Sequence, residues 1–357
     1  MSAHEIVILL MAIFAAAAAA DRIFGNRLGL GKEFEEGILA MGSLGLAMLG
    51  TICLAPVLAN VLKPVVVPLF SFLGADPAMF AGTLLACDMG GGALAVEMAD
   101  SHEAAMLGGV ITGSMLGATL VFTIPVAMGI LREEDRGAMA KGILSGVVTI
   151  PVGILVGGLV AGFPVGMVLR NLIPIVLLGI LIALGLWRAE DWMTRAFAAF
   201  GKGVVALITL GLGAAIVEEL TGFVLIPGLA PLSEGFETVG AIAIILAGAF
   251  PLVAVMTKLL RKPLMKLGKR LGIGDTAAAG LIASLANSIA MLNMVKDMTY
   301  RGKVVNIAFA VSGAFVFGDH LGFTAGFAPE MLTAVIAGKL AGGISAAAVA
   351  LWLTREG

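Results

Sequence analysis

Long apolar segments recur along almost the entire chain, and this pattern restricts the fold more than any other feature of the sequence. A transmembrane helix needs about 20 apolar residues, whereas a transmembrane strand needs only about 10. Helices and closed barrels are the only structures that satisfy their own backbone hydrogen bonds in lipid. The segments are too long for barrel strands, so the sequence predicts an all-α polytopic membrane protein. Eleven segments can be distinguished, at 4–24, 38–62, 77–97, 104–131, 138–161, 167–187, 196–217, 239–260, 276–295, 303–324 and 331–353.

The composition supports a membrane protein and argues against several functions. Hydrophobic residues make up 60% of the 357 residues and charged residues only 13%, whereas soluble domains carry about 25% charged residues. The formal net charge of −2 gives no basic surface for nucleic acid. Cys53 and Cys87 show none of the Cys and His spacings of metal sites. We therefore expect no nucleic-acid partner, no cofactor and no bound metal.

The lysines and arginines distinguish two topologies, because short cytoplasmic loops carry an excess of these residues. If all eleven segments cross the membrane, the two sides hold seven and thirteen, leaving out Arg170 and Lys339 within the spans. If 77–97 and 276–295 are re-entrant hairpins instead, one side holds nineteen and the other only Lys63. The sequence favours nine spans plus two hairpins, with the carboxyl terminus in the cytoplasm.

The two hairpins fall at equivalent places in the two halves of the chain. Lys63-Pro64, for example, matches Lys262-Pro263 at an offset of 199 residues. With nine spans, the two halves have opposite orientations, and such inverted-topology repeats with broken helices are typical of secondary transporters working by alternating access. We predict a single integral membrane domain over 1–357, divided into repeat one, a linker span and repeat two at 1–161, 162–194 and 195–357.

Asp88 is the strongest candidate for a functional residue. It stands in an apolar segment directly before Met89 and the glycines Gly90, Gly91 and Gly92. A charged side chain at the bilayer centre costs ~2.5–3.5 kcal/mol on insertion scales, so it is rarely kept without a partner, a cavity or a ligand. Glycines at a hairpin tip would let a small cation approach the backbone. The alternative is a carboxylate that bonds to neighbouring backbone and serves only the fold.

Polar and aromatic residues in the second half supply further candidates for substrate binding. Asn287 and Ser288 fall at the tip of the second hairpin and suit a hydroxyl group, although contacts between helices explain them equally well. Asp319 could pair with His320 or receive a proton, and the ring of Phe317 could face an ammonium group. The alternative for Asp319 and His320 is that both reach the outer end of their span.

Several segments carry a resemblance to a known family. The chain resembles the ethanolamine-utilisation membrane transporter family over nearly its whole length. This resemblance implies a bacterial inner-membrane permease, embedded in the lipid bilayer, for ethanolamine or a similar protonated amine. The segments that carry the resemblance are Phe34-Glu35-Glu36-Gly37, the stretch from Asp76 through Asp88 to Gly91, Arg301-Gly302-Lys303-Val304, and Gly318-Asp319-His320-Leu321-Gly322-Phe323.

Three other functions compete with this prediction. A proton- or sodium-coupled cation antiporter would use the same hairpins and aspartates without an organic substrate. An intramembrane aspartyl protease would need Gly-x-Gly-Asp, but Val316 occupies the first glycine position before Asp319. A purely structural membrane protein would not need Asp88 and its glycine run. The sequence predicts a transporter for a small organic cation, not an enzyme, and leaves proton or sodium coupling open.

Overall fold

The computed structural model describes residues 3–355, which fold into helices joined by short connections. In this range there is no β-strand, and eight helices are long and apolar enough to cross a membrane. The prediction of an all-α polytopic membrane protein is confirmed. The helices are α1 (Ala3–Ile23), α2 (Leu30–Phe72), α3 (Ala78–Leu84), α4 (Gly91–Met98), α5 (His102–Ile130), α6 (Arg136–Val160), α7 (Val165–Ala189), α8 (Asp191–Thr221), α9 (Leu232–Leu271), α10 (Asp275–Ala286), α11 (Ser288–Met294), α12 (Tyr300–Gly313), α13 (Asp319–Phe327) and α14 (Leu332–Leu353).

Helices α3 and α4 form a hairpin that returns to the end where it began. Asp76 precedes α3 and Asp100 follows α4, and the Asp100 backbone N–H donates to Asp76 Oδ2 at 3.1 Å. Both arms pack along α5. The contact is very close, since a Cβ on Gly82 would lie 1.8 Å from the Gly108 carbonyl oxygen. The first hairpin thus folds back as the nine-span topology predicts.

Helices α10 and α11 form the second hairpin, which also closes at its base. Thr299, just after this hairpin, donates its hydroxyl to the carbonyl of Ile273, just before it, at 3.1 Å. The Asn306 amide, on α12, donates to the Ala277 carbonyl at 3.0 Å. Because the two ends of each hairpin meet, neither 77–97 nor 276–295 runs through the protein as a single straight span.

The segment predicted as one span at 303–324 is interrupted, so this part of the prediction is wrong. Residues 314–318 separate α12 from α13, and Phe315 has a left-handed backbone with φ of 60°. The freed N–H groups of Phe315 and Phe317 donate to the carbonyls of Ser284 and Leu285 at 3.0 and 2.9 Å. The second hairpin thus stabilises the break, and a search for apolar segments cannot detect such a tertiary contact.

The two halves share one order of elements on either side of α7. Each half has a helix, a long helix, a hairpin, a further crossing and a last helix. The long helices α2 and α9 pack together, as do α6 and α14. Helices α6 and α14 are antiparallel, because Gly153 lies against Gly338 and Gly157 lies against Ala334. Antiparallel packing of equivalent helices is what inverted repeats require, but the inverted relation itself stays a prediction.

A buried ion pair joins the two halves. Lys303, at the start of α12, pairs with Asp135, just before α6, and their side chains are 15% and 2% exposed. Removing one partner of a buried pair leaves an uncompensated charge and costs about 3–5 kcal/mol. We therefore expect Lys303→Met to lower the free energy of unfolding by this order, measured by denaturation of the purified protein in detergent.

Two control variants make this prediction specific. The double variant Asp135→Leu/Lys303→Met removes both charges, so it should recover much of the lost stability. Arg132→Gln, which disrupts the exposed pair between Arg132 and Glu134, should change stability little. If Lys303→Met lowers the free energy of unfolding as little as Arg132→Gln does, the pair between Lys303 and Asp135 does not stabilise the fold as a buried ion pair.

Candidate functional site

A small cavity lies where the first hairpin meets the break between α12 and α13. Its volume is about 160 Å³, whereas pockets for drug-sized ligands measure roughly 300–1,000 Å³. The cavity therefore suits a much smaller molecule. Helices α2 and α5 complete its wall, and the lining residues are Ser43, Leu44, Ala47, Ala86, Asp88, Met89, Ala118, Phe122, Phe315, Asp319 and His320.

Asp88 reaches the cavity because the hairpin is not helical at its tip. A single tight turn, Cys87–Met89, separates α3 from α4. The Asp88 side chain is 15% exposed and lines the cavity, as the sequence predicts for a carboxylate at a hairpin tip. A charged group in this position is shielded from bulk water, so a cationic partner or ligand stabilises it more than it would stabilise an exposed carboxylate.

The three glycines after Asp88 serve close packing and do not line the cavity. Gly90 has φ of 93°, and a Cβ there would lie 1.7 Å from Thr51 Cγ2. Gly91 packs on the carbonyl oxygens that end α3, and Gly92 packs on the ring of Phe323. The glycines are thus needed where the tip meets its neighbours. Their predicted role as backbone ligands for a cation is not supported by this placement.

The second half of the chain contributes Asp319 and His320 to the same cavity. Both follow the break and begin α13. His320 is only 4% exposed, so the alternative that places it at an exposed outer end is wrong. Its Nε2 lies 3.9 Å from Asp88 Oδ1. The structure thus brings together the two strongest sequence candidates, which are separated by more than half the chain.

Lys339 extends this cluster behind the cavity, and the predicted site residues did not include it. Its side chain is 1% exposed. Its Nζ donates to the Ser114 carbonyl at 2.5 Å and lies 3.0 Å from His320 Nδ1. A protonated lysine has no lone pair and can only donate. Beside the Lys339 ammonium, Nδ1 therefore accepts, and a neutral imidazole carries its proton on Nε2, the nitrogen that faces Asp88. The sequence signal was present, since Lys339 lies inside the apolar segment 331–353.

Three other predicted residues lie outside the cavity lining. Asn287 is exposed and caps α11 by accepting from the Ile289 backbone N–H at 2.8 Å. Ser288 is buried, and its hydroxyl has no hydrogen-bond partner among the described residues. Phe317 is half-buried and packs in the apolar core. Its place in the cavity wall is taken by Phe315, which the left-handed turn presents there.

Two phenylalanine rings form the aromatic part of the wall. Phe122, from α5, and Phe315 have ring centroids 5.5 Å apart at an interplanar angle of 80°. Phe315 also packs on the imidazole of His320 at 5.2 Å. An aromatic face close to carboxylates is a favourable surface for an organic ammonium ion.

Cys87, Asp88 and His320 lie close enough together to bind one metal ion. One donor atom from each lies within 4.8 Å of the others. The amine of Lys339, however, contacts the other nitrogen of the same imidazole. A metal ion would bring a second cation into this buried cluster, next to that amine. We therefore assign no metal to these residues.

The fold and the cavity together define a multi-pass helical membrane protein with a buried, charged site, the class that includes secondary transporters. The family model described as "Ethanolamine utilisation protein, EutH" matches residues 3–353. The chain belongs to this family, which confirms the resemblance noted from the sequence.

Curated relatives match this chain along almost its full length. A protein of Listeria monocytogenes named "Probable ethanolamine permease EutH" is 58% identical over 356 residues, covering 100% of this chain and 95% of the relative. A protein of Escherichia coli with the same name is 48% identical, covering 100% and 97%. "Uncharacterized protein YxeR" of Bacillus subtilis is 53% identical, covering 99% and 96%. No solved structure matches the chain. The permease names are those of transporters and not of enzymes.

Proposed function

We propose that this protein is an ethanolamine permease that carries the protonated amine across the bacterial plasma membrane by alternating access. The observation that carries this proposal is the cavity of about 160 Å³ between the first hairpin and the α12–α13 break, which is lined by Asp88 and Asp319. The names of the relatives in Listeria and Escherichia coli support the same substrate.

The cavity offers each group that ethanolamine requires. The ammonium group binds Asp88, whose carboxylate is shielded from bulk water. Phe122 and Phe315 present ring faces or edges to the methylene groups and the positive charge. The hydroxyl group of the substrate is held by Ser43 on α2 or by His320 Nε2. Ser43 thus takes the part that the sequence assigned to Asn287 and Ser288.

The orientation follows from the loop charges. The nine-span topology places nineteen lysines and arginines on one side, and the positive-inside rule makes this side the cytoplasm. The carboxyl terminus then lies in the cytoplasm. A cysteine introduced at Arg355 should be labelled by a membrane-impermeant thiol reagent only after the cells are opened.

A cation antiporter would use the same aspartates, but it is not favoured. The relatives' names state an organic substrate. Uptake of labelled ethanolamine into proteoliposomes tests both functions, preferably at mildly acidic pH where little neutral ethanolamine leaks through lipid. We expect saturable uptake that is absent from protein-free liposomes. Sodium or proton flux without ethanolamine uptake would overturn the permease in favour of the antiporter.

The ring of Phe122 should set the upper size of the substrate. Phe122→Ala removes one wall of the cavity, so a larger amine such as choline gains room. We expect choline to inhibit ethanolamine uptake by the variant at concentrations roughly tenfold lower than for the wild type, consistent with the ~1–3 kcal/mol that small changes in pocket fit are worth. Phe72→Ala, at a ring that is 86% exposed on α2, is the matched control. Equal inhibition of both variants would contradict this role.

A further inference from the structure

The cavity holds more negative charge than a single ammonium ion neutralises. Two carboxylates, Asp88 and Asp319, line it. Among the described lining residues the only basic side chain is His320, and its Nδ1 is occupied by the contact with Lys339. A monovalent substrate would therefore leave one negative charge uncompensated if the lining residues acted alone. Uncompensated charge is strongly disfavoured inside a membrane protein.

Lys339 supplies the missing positive charge from behind the cavity wall. It is 1% exposed, and its amine is held between the Ser114 carbonyl at 2.5 Å and His320 Nδ1 at 3.0 Å. The imidazole links it to Asp88, since His320 Nε2 lies 3.9 Å from Asp88 Oδ1. The lysine is thus linked to Asp88 through one imidazole, but it does not itself line the space for the substrate.

The Ser114 carbonyl, which accepts from Lys339, lies in an unusually wound part of α5. The helix is wound as a π-helix over Met106–Gly117, and the Ser114 carbonyl accepts from Lys339 on α14. π-Helical winding is rare in proteins, and where it interrupts an α-helix it is frequently found at functional sites. The buried amine thus has a backbone acceptor on α5.

We infer that Lys339 is a built-in cation that sets the charge of the binding site to minus one, so that the site accepts one monovalent organic cation and no co-transported ion. This inference rests on the proposed function and specifies its energetics. With one lysine against two carboxylates, one bound ethanolammonium ion makes the site neutral. Each transport cycle then moves one positive charge, and neither sodium nor a proton needs to accompany the substrate.

The first test is the Lys339→Met variant, which keeps an unbranched side chain but removes the charge. Its site has a charge of minus two. We expect ethanolamine uptake to fall on the order of tenfold or more without a second cation, and to recover when sodium or protons are supplied at high concentration. The charge moved per ethanolamine, measured as current against labelled flux, should rise from one to two.

A divalent substrate provides a second readout of the same charge. The doubly protonated form of 1,3-diaminopropane matches a site with a charge of minus two. We expect it to inhibit uptake by Lys339→Met on the order of tenfold more strongly than it inhibits the wild type. A purely structural role of Lys339 would lower activity without creating this preference.

Removing one carboxylate should restore the site charge, and with it uptake, in the Lys339→Met variant. Asp319→Asn alone leaves Lys339 and Asp88 balanced without substrate, so uptake should fall sharply. In Asp319→Asn/Lys339→Met the charge returns to minus one, and uptake that is independent of sodium and protons should return. If Lys339→Met does not fold, Asp319→Asn still tests the inference, because wild-type uptake by that variant would overturn it.

The outcomes separate this inference from the proposed function. If the wild type takes up no ethanolamine, the proposed function fails. If the wild type takes it up together with sodium or a proton, the function stands and the inference is wrong. Unchanged charge stoichiometry in Lys339→Met, or a double variant no more active than either single variant, would also overturn the inference.

Discussion

Asp88→Asn should strongly reduce ethanolamine uptake while leaving the protein folded. Asparagine has nearly the same shape as aspartate, so the packing of the hairpin tip is kept. The variant loses the ion pair with the ammonium group, and a hydrogen bond to a charged group contributes about 1.5–3 kcal/mol. That loss corresponds to a reduction in affinity of roughly 10- to 100-fold. Uptake of labelled ethanolamine by proteoliposomes gives the measurement.

The same hairpin offers a matched control for Asp88. Glu97 is exposed near the end of α4, so Glu97→Gln removes one negative charge at a distance from the cavity. We expect this variant to take up ethanolamine like the wild type. Thermal unfolding of both variants in detergent shows whether each is folded. If folded Asp88→Asn transports with unchanged affinity and rate, Asp88 does not bind the substrate.

Gly82→Ala should strongly destabilise the protein. Gly82 lies on α3, and an added Cβ would meet the Gly108 carbonyl oxygen at 1.8 Å and the Gly113 nitrogen at 2.8 Å. Both atoms belong to the backbone of α5, so neither can rotate away. Overpacking of a core lowers stability by about 1–3 kcal/mol and occasionally more. Because the backbone cannot move aside, we expect a loss at the upper end of this range. We expect a lower unfolding temperature and a reduced yield of monodisperse protein.

Gly213 provides the control for this substitution. It lies within α8, where an added Cβ would have nothing within 4 Å. Alanine is favoured over glycine inside a helix by about 1 kcal/mol, so Gly213→Ala should be neutral or slightly stabilising. If Gly82→Ala is as stable as Gly213→Ala, the close packing of the first hairpin on α5 is wrong.

The features that sequence reasoning predicted are those that follow from local composition. Apolar length gives the helices, and the loop charges favour the two hairpins that the structure contains. Asp88 and Asp319 stand out because carboxylates are rare in apolar segments. These rules concern single segments, so they need no knowledge of which helices are neighbours.

The features that were missed depend on contacts between segments. The break after α12 is stabilised by Ser284 and Leu285 of the second hairpin, and its own sequence is as apolar as an unbroken span. The break places Phe315 in the cavity instead of Phe317. Asn287 is exposed and caps a helix, a local use of its side chain that the prediction of substrate binding did not consider.

The hydrogen bonds between the second hairpin and the α12–α13 break have a mechanical consequence. The Phe315 and Phe317 N–H groups donate to carbonyls at the end of α10. These hydrogen bonds join the tip of the second hairpin to the start of α13, so the two would move together. Asp319 and His320 begin α13 and would move with the second hairpin, whereas Asp88 lies at the tip of the first hairpin. A swing of either hairpin would separate the two carboxylates as it opens the cavity. The same movement would then weaken the binding of the cation and open the path by which it leaves.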